Sequence, residues 1–461
     1  MEEPSTVRRL PEDLLVDILR RLPPHTLAAA RCVRKSWLRA IDGRRLMDLL
    51  PLPLAGFFLN FNGHLFPEFF ARPSTMPSGA AISGELHSIL RCGAAPGLFV
   101  KDHCNGLLLL YSGHVVNPAG RLWDELPRRP RPLEIALETS VGLGFQPQDY
   151  LVFDGPSESP AVVSYEVVTI SHAGYCPPPG ELLDHEVKQL EWPPSPFLFQ
   201  VFSSRTNRWE ERPFIREGEP VGTVGDMERA WPGGDYQYAV YWRGQLYVQR
   251  SFLIRISLSS GKYQVIKLPK GISSSEGYPE YRLGKSEKGV YFASLDFRDR
   301  LQVWILEETD GNTKWVLKHQ ADLQHKLAHR NYHSGRVCGP WIMRDINYDF
   351  YRPYSFPYDT PRLPSSQDAF EWDSDNDDVL EVNDKGPKPY RGCLSMLGFH
   401  PHKEVIFLSE ACNRGLAYHL NTSKFQDLGD LCPRRYNHFV GKRKFILQSF
   451  PYTPCWTMEF P

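Results

Sequence analysis

The sequence predicts a mostly β protein with a small all-α domain at its N-terminus. Three observations predict it. Apolar residues in the first fifty positions recur at helical spacing, whereas beyond residue 98 they fall into short runs with a period near two. Turn clusters rich in Gly, Asn, Ser and Pro separate those runs. The 461 residues include 40 Pro and 11 Trp, which suit many short elements joined by turns better than long helices.

The length allows a large core and more than one domain. Hydrophobic residues make up 41% and charged residues 23%, as in ordinary soluble globular chains. The net charge of -1 points to neither nucleic acid nor an anionic membrane as partner. The nine cysteines are odd in number and form no Cys-x-x-Cys pair, which favours a reducing compartment, cytoplasm or nucleus. "MEEPSTVRRL" has no apolar signal core, and "LLPLPLAGFFLNF" is too short and too proline-broken to span a bilayer.

The first element is a helix opening at Pro11, whose missing N–H costs nothing at that position. Glu12 and Asp13 follow in its first turn, where the helix dipole favours negative charge. Leu14, Leu15, Ile18, Leu19 and Leu22 recur at helical spacing and are expected on one face. Pro23 and Pro24 end the helix. Thr26 is placed to cap a second short helix carrying Leu27 and Ala30, and Val33, Trp37 and Ile41 mark a third. Three helices in about forty residues cannot hide this much apolar surface alone. Either the module is a cap docked on the rest of the chain or it is a docking surface for another protein. Helical pattern does not choose between them.

The residues do. Leu10-Pro11-Glu12-Asp13-Leu14-Leu15, Ile18-Leu19-Arg20-Arg21-Leu22-Pro23, Leu27, Arg31-Cys32-Val33 and Lys35-Ser36-Trp37 occur in order, over roughly residues 9 to 48. This string resembles the F-box. It departs where Arg34 stands in place of a cysteine and where Leu46 and Met47 replace a phenylalanine. The resemblance implies that the module, residues 1 to 50, binds a Skp-type adaptor and through it a cullin. It places Leu10, Pro11, Leu14, Leu15, Ile18, Leu22, Pro23, Leu27, Val33 and Trp37 at or just beneath the adaptor interface, some of them forming the module's own core. The basic residues here read as solvated faces or as charge complementary to an acidic partner, because no aromatic–basic interleaving accompanies them.

In the long body, strands are expected at "GLLLLY" (106), "YEVVTI" (165), "FLFQVF" (197), "QLYVQ" (245), "GVYFASL" (289), "LQVWIL" (301) and "EVIFLS" (404). Aligned on their turns, "VVNPAGRLWDELP", "VFSSRTNRWEERP", "ISLSSGKYQVIKLP", "ILEETDGNTKWVLK" and "YHLNTSKFQDLG" repeat one unit: apolar strand, polar turn, aromatic, short tail. The marker aromatics are Trp123, Trp209, Tyr263, Trp315 and Phe425. From Trp209 to Tyr263 and on to Trp315 the spacing is about fifty residues, a kelch-like period of four strands per repeat. A β-propeller of about six blades is expected, with the marker aromatics packed between blades. "HCNGLLLL", "GLGFQPQDYLV" and "LGFHPHKEVIF" resemble the F-box-associated propeller repeats of plant F-box proteins. Residues 51–98 are expected to be a linker with a candidate propeller-closing strand, "GFFLNFNGHLF", to which the tail "FVGKRKFILQSF" would pair. Residues 99–461 are expected to form the propeller.

Two insertions interrupt it. Residues 172–196 are proline-rich. Residues 322–390 are expected to be irregular or disordered, aromatic and proline-rich at first and then acidic from Asp368 to Asp384. Loops of this kind are where recognition usually sits.

Sought chemistry is not found. Gly284-Lys285-Ser286 lacks the earlier glycine of a phosphate loop, since Pro279 stands there, and reads as a hairpin turn. Asp373, Asp375 and Asp377 alternate as in a calcium loop, but Asp378 replaces its glycine and Asp384 its glutamate. His103-Cys104 and His400-x-His402 lack companions at zinc spacing. No catalytic residue, metal or cofactor is expected. The reading is a non-catalytic substrate receptor of an SCF-type ubiquitin ligase, holding a target protein of unknown identity on the propeller. A propeller enzyme, or a scaffold acting outside ubiquitin transfer, is the alternative.

Overall fold

A computed structural model describes residues 12–19, 22, 27, 30, 33–43, 54–72, 82, 84–91, 97–130, 144–153, 164–174, 185–229, 238–269, 279–309, 312–328, 339–355, 393–437 and 444–455. The protein is mostly β; beyond two N-terminal helices, short helices α3 (Leu86–Leu90), α4 (His185–Lys188) and α5 (Val224–Arg229) and two later ones lie between strands. Two helices, α1 (Glu12–Leu19) and α2 (Lys35–Gly43), enclose a core of their own built from Leu15, Val16, Leu19, Leu27, Ala30, Ala40 and Ile41.

Six four-stranded antiparallel units follow. Unit I joins β1 (Gly56–Phe61) and β2 (Glu68–Ala71) to two strands from much later in the chain. Unit II is β3 (Val100–Cys104), β4 (Leu107–Leu110), β5 (His114–Asn117) and β6 (Leu122–Glu125). Unit III is β7 (Gly144–Val152), β8 (Glu166–Gly174), β10 (Phe197–Ser203) and β11 (Arg208–Glu217), with β9 (Glu191–Trp192) pairing outside it with β12 (Gly222–Thr223). Unit IV is β13 (Ala239–Trp242), β14 (Gln245–Gln249), β15 (Leu253–Ser257) and β16 (Lys262–Ile266). Units III and IV merge into one eight-stranded sheet through a short parallel pairing of β11 with β16, Ile215 opposite Lys262. Unit V is β17 (Glu280–Ser286), β18 (Gly289–Leu295), β19 (Arg300–Thr309) and β20 (Asn312–Asp322). Unit VI is β22 (Leu394–Phe399), β23 (Val405–Glu410), β24 (Arg414–His419) and β25 (Phe425–Asp430). The late strands of unit I are β21 (Ile342–Arg344) and β26 (Ile446–Tyr452), in the order β21-β2-β1-β26.

Many strands are buried on both faces, while outer ones such as β6 and β11 keep an exposed face. All six residues of β1, all four of β4 and all seven of β18 are buried, which requires cover above and below the sheet. The cores between units supply that cover. One apolar cluster spans II, III and IV, another IV and V, another V and VI, another VI and I, and another I and II. Followed in order, the shared cores return to the unit where they began. Strands β26, β3 and β7 touch in turn, as do β13, β17, β22 and β26.

The strand expected within residues 51–98 is β1, and it pairs with the tail strand β26, Gly56 opposite Tyr452. β2 lies within the same span, and Asn60 ties unit I to unit II by donating to the Val100 carbonyl at 2.7 Å. β2 gives no period-two signal because all four of its residues are buried. One expectation is corrected: the span 322–390 is not one irregular insertion. It holds α6 (Leu323–Ala328), strand β21 and helix α7 (Ile346–Ser355). Buried Glu68 accepts hydrogen bonds from the N–H groups of Ile346 and Asn347, a carboxylate at the helix N-terminus, while Asn347 Oδ1 accepts from Leu65 and Phe66. The acidic stretch, with Asp373, Asp375, Asp377, Asp378 and Asp384, lies outside the described residues. Residues 185–196 of the proline-rich excursion include the four-residue helix His185–Lys188 and β9.

Candidate functional site

Helix α1 sorts its apolar residues onto two faces. Leu15, Val16 and Leu19 are buried, whereas Leu14 is 52% and Ile18 49% exposed. At 100° per residue, 15, 16 and 19 share one side and 14, 17 and 18 another. A single face holding Leu14, Leu15, Ile18 and Leu19 is therefore corrected: apolar residues occupy both sides, and Val16 completes the inner one. Leu27 is fully buried, and Leu22 and Trp37 pack partly against the core. Val33 precedes α2 in a turn closed by its N–H to Ala30 and is 57% exposed. The third helix thus begins at Lys35, after Val33 rather than with it. Leu10, Pro11 and Pro23 lie outside the described residues.

The module's core is closed by Leu15, Leu27 and their neighbours, yet Leu14, Ile18 and Val33 remain in water. Covering a half-exposed Leu or Ile gains about 1 kcal/mol. This surface can bind; it carries no group suited to chemistry.

The five marker aromatics all fall on the last strand of a four-stranded unit: Trp123 on β6, Trp209 on β11, Tyr263 on β16, Trp315 on β20 and Phe425 on β25. Trp209 donates Nε1–H to the Pro127 carbonyl at 2.9 Å, just beyond β6 of the preceding unit. Trp315 donates to Lys267 at 3.0 Å, just beyond β16 of its own preceding unit. Tyr263 is buried and donates its hydroxyl to the Pro194 carbonyl at 2.5 Å. Phe425 is buried against Tyr418. Trp123 differs: it is 43% exposed and touches the ring of His114. The unit before it is I, whose outer strand comes from a distant part of the chain.

A feature that sequence reasoning missed lies where the first strands of units II, IV, V and VI meet β26. A cavity of about 60 Å³ is lined there by Asp102, His103, Asn105, Tyr238, Arg282 and Lys285, among others. Arg282 is 2% exposed, stacks on the Tyr238 ring at 3.5 Å, and donates Nη2–H to the Leu397 carbonyl at 2.5 Å and to Ser449. Lys285 donates to Asn105 Oδ1 at 2.9 Å and to the Tyr241 carbonyl at 2.8 Å. Burial lowers the pKa of both cations. Burial, then the positive charges of Lys285 and Arg282, push His103 down to about 3, so it is neutral. Burial pushes Asp102 up to about 7 despite the Leu151 N–H it accepts at 2.8 Å. In the sequence "RLGKSEKG" read only as a turn. It is the β17–β18 hairpin, and two of its three basic residues, Arg282 and Lys285, line the cavity, while Lys288 is exposed and pairs with Glu404. Among the described residues no group of three His, Cys, Asp or Glu is placed to hold a metal ion.

Residues 7–48 match the F-box-like family model. The F-box protein At5g07610 of Arabidopsis thaliana is 22% identical over 337 residues, covering 68% of this chain and 70% of its own length. Among solved structures, the complex of the fission yeast SREBP–SCAP binding domains shows 10% identity and a TM-score of 0.18 over 51% of this chain. The chain spans about 65% of that structure's length, and so low a score carries no argument about fold. F-box domains bind Skp1-type adaptors in SCF complexes, and F-box proteins are generally non-catalytic subunits that choose substrates. The chain therefore carries an F-box-like domain, and the family match and the Arabidopsis relative both support an F-box protein.

Proposed function

We propose that this protein is the substrate-recognition subunit of an SCF-type ubiquitin ligase, docking a Skp-type adaptor through residues 7–48 and a target protein through its β body. The carrying observation is the pair Leu14 and Ile18, exposed on α1 above a core that is complete without them. A helix that needed these leucine-type residues for folding would bury them; one that offers them to a partner leaves them out. The adaptor links the chain to a cullin, and the chemistry is positional: target lysines are held near a charged ubiquitin carrier.

The β body is proposed to be a six-bladed propeller. The support is the count of four-stranded units, their shared cores that lead from I to VI and back, and the pairing of β1 with β26, Gly56 opposite Tyr452, which ties the two ends of the body into one unit. Closure by both chain ends removes two free sheet edges. The segment around 347–372 is proposed as part of the target-facing surface. Tyr354, the most exposed large side chain in α7, belongs to it. The cytoplasm or nucleus fits the free thiols of Cys393 and Cys412. Among the described residues no helix is long and apolar enough to cross a membrane.

The test is retention of a purified Skp-type adaptor by the full chain and by a Leu14→Asp, Ile18→Asp variant. Binding by the parent and loss in the variant, with an unchanged β melting transition, support the reading. A parent chain that fails to retain the adaptor overturns it.

A further inference from the structure

We propose that the cavity lined by Arg282 and Lys285 is a binding site for a small free oxyanion of the phosphate or carboxylate class. The inference does not depend on adaptor docking, and its failure would leave that reading untouched.

Arg282 is the main warrant. Its Nη2 is satisfied by Leu397 and Ser449, but Nη1 is buried and has no hydrogen-bond acceptor among the described residues. Guanidinium groups are rarely buried without a carboxylate or an equivalent anion, because an uncompensated buried charge is strongly destabilising. Among the described residues no carboxylate pairs directly with Arg282 or Lys285: Glu280, whose charge acts on Arg282, is itself buried, accepts the Met396 N–H and is pushed up to about 7, and Tyr238 adds only a hydroxyl contact. Both side chains are held by neutral carbonyls, an amide and a hydroxyl, which orient them without cancelling their charge. Arg282, Lys285 and His103 line the same cavity, where burial and then the two positive charges lower the pKa of His103.

The cavity is matched to a small guest. About 60 Å³ corresponds to roughly four water-sized spheres, room for a planar or tetrahedral oxyanion and not for a peptide. Arg presents a planar fork that suits two oxygens of such a group, and the Lys ammonium supplies a second positive charge. Asp102 is the single carboxylate lining the cavity. Its Oδ2 is turned to the Leu151 N–H, and its raised pKa weakens its charge near neutrality. Gly284, between the two cations, fits because a Cβ there would fall 2.1 Å from the Phe399 ring. Backbone and side chains thus leave one gap, and two cations face it.

The experiment uses the full chain. Its melting temperature is measured against inorganic phosphate, and separately against acetate, at ionic strength held constant with chloride, and binding is measured by calorimetric titration. A saturable rise with phosphate or acetate, paralleled by calorimetric binding, is expected; the arm that saturates identifies the oxyanion class. Lys285→Gln is expected to weaken the apparent affinity at least tenfold, and Arg282→Gln more. Should Arg282→Gln fail to fold, Lys285→Gln and the calorimetry on the parent chain decide. No saturable response in either arm, or an equal response in Lys285→Gln, overturns the proposal.

Discussion

Leu14 and Phe407 mark two extremes in this chain. Leu14 is 52% exposed on a short helix, although it is the kind of side chain that folding normally hides. Phe407 is fully buried between two sheet units, with the rings of Phe57 at 5.0 Å and Trp341 at 5.8 Å. The helical module closes a core of seven small and medium side chains and leaves good apolar surface outside. The β body covers both faces of many of its strands and joins strands from both of its ends in one unit. Residual apolar surface has a different meaning in each region: in the module it is a face, and in the body it is an exception.

Phe407→Ala is expected to give the largest effect, destabilising the body by about 3–5 kcal/mol. Its melting transition, followed by near-ultraviolet circular dichroism, should fall steeply. Adaptor retention at low temperature should be unchanged, since Phe407 belongs to the core between units VI and I and the module's core is separate. Joint loss of adaptor retention with the body still folded would contradict that separation.

Leu19→Ala tests the other region. Leu19 is fully buried beside Leu15 and Ile41, and truncation is expected to cost about 2–4 kcal/mol. A seven-residue core cannot absorb that loss, so adaptor binding should disappear through unfolding of the module. Proteolysis should cut first within residues 12–43, with the β transition intact.

The difference between regions was only partly legible beforehand. The apolar string from Leu14 to Leu22 announced a helix, but spacing alone could not separate Leu15, which is buried, from Leu14 and Ile18, which are not. With apolar residues on both sides of a helix, only its neighbours decide which side is inside. In the body, the marker aromatics were visible because each follows a polar turn, and they locate the last strand of five units. Unit I was half legible: "GFFLNFNGHLF" and the tail mark β1 and β26, which pair, whereas β2 and β21 were missed. It has no marker aromatic, its strands come from three separate stretches, and β1 and β2 show no alternation. The cavity was invisible for a different reason: Arg282, Lys285 and Asp102 become neighbours only when units II and V are brought together.

The exposed face itself is probed by Leu14→Ala combined with Ile18→Ala. The module should fold, because neither side chain enters its core. Adaptor affinity should weaken about 10- to 100-fold, the loss expected for truncating apolar anchors at an interface. Calorimetry of the variant beside Leu19→Ala distinguishes a lost contact from a lost fold: the double variant keeps its thermal transition.

The body alone should carry a pH dependence through Asp102. Burial raises this carboxyl to about 7, so the folded chain keeps a proton that the unfolded chain sheds near pH 4. Its stabilising contribution is complete below about pH 4 and is lost as pH rises through about 7, at up to about 1.4 kcal/mol per pH unit. Lys101, His103 and Asp149 surround the group and modulate the slope. Asp102→Asn should flatten the melting-temperature profile between about pH 4 and 7. An unchanged profile would assign the dependence elsewhere.

The smallest effect tests the body's own exception. Trp209 and Trp123 occupy equivalent last strands, yet only Trp209 donates its indole N–H across to the preceding unit. Trp209→Phe keeps most of the packing and removes the hydrogen bond to Pro127, for an expected cost of about 1 kcal/mol. Among the described residues Trp123 makes no such bond, its side chain is 43% exposed, and surface changes such as Trp123→Phe usually stay within about 0.5 kcal/mol. Urea melts of the two variants measure the difference directly. Equal costs would mean that the repeat aromatics act through ring burial alone. A larger cost at Trp209 would assign the pairing of units II and III in part to one indole hydrogen bond, a contact that unit I, with its outer strand drawn from residues 342–344, does not offer to Trp123.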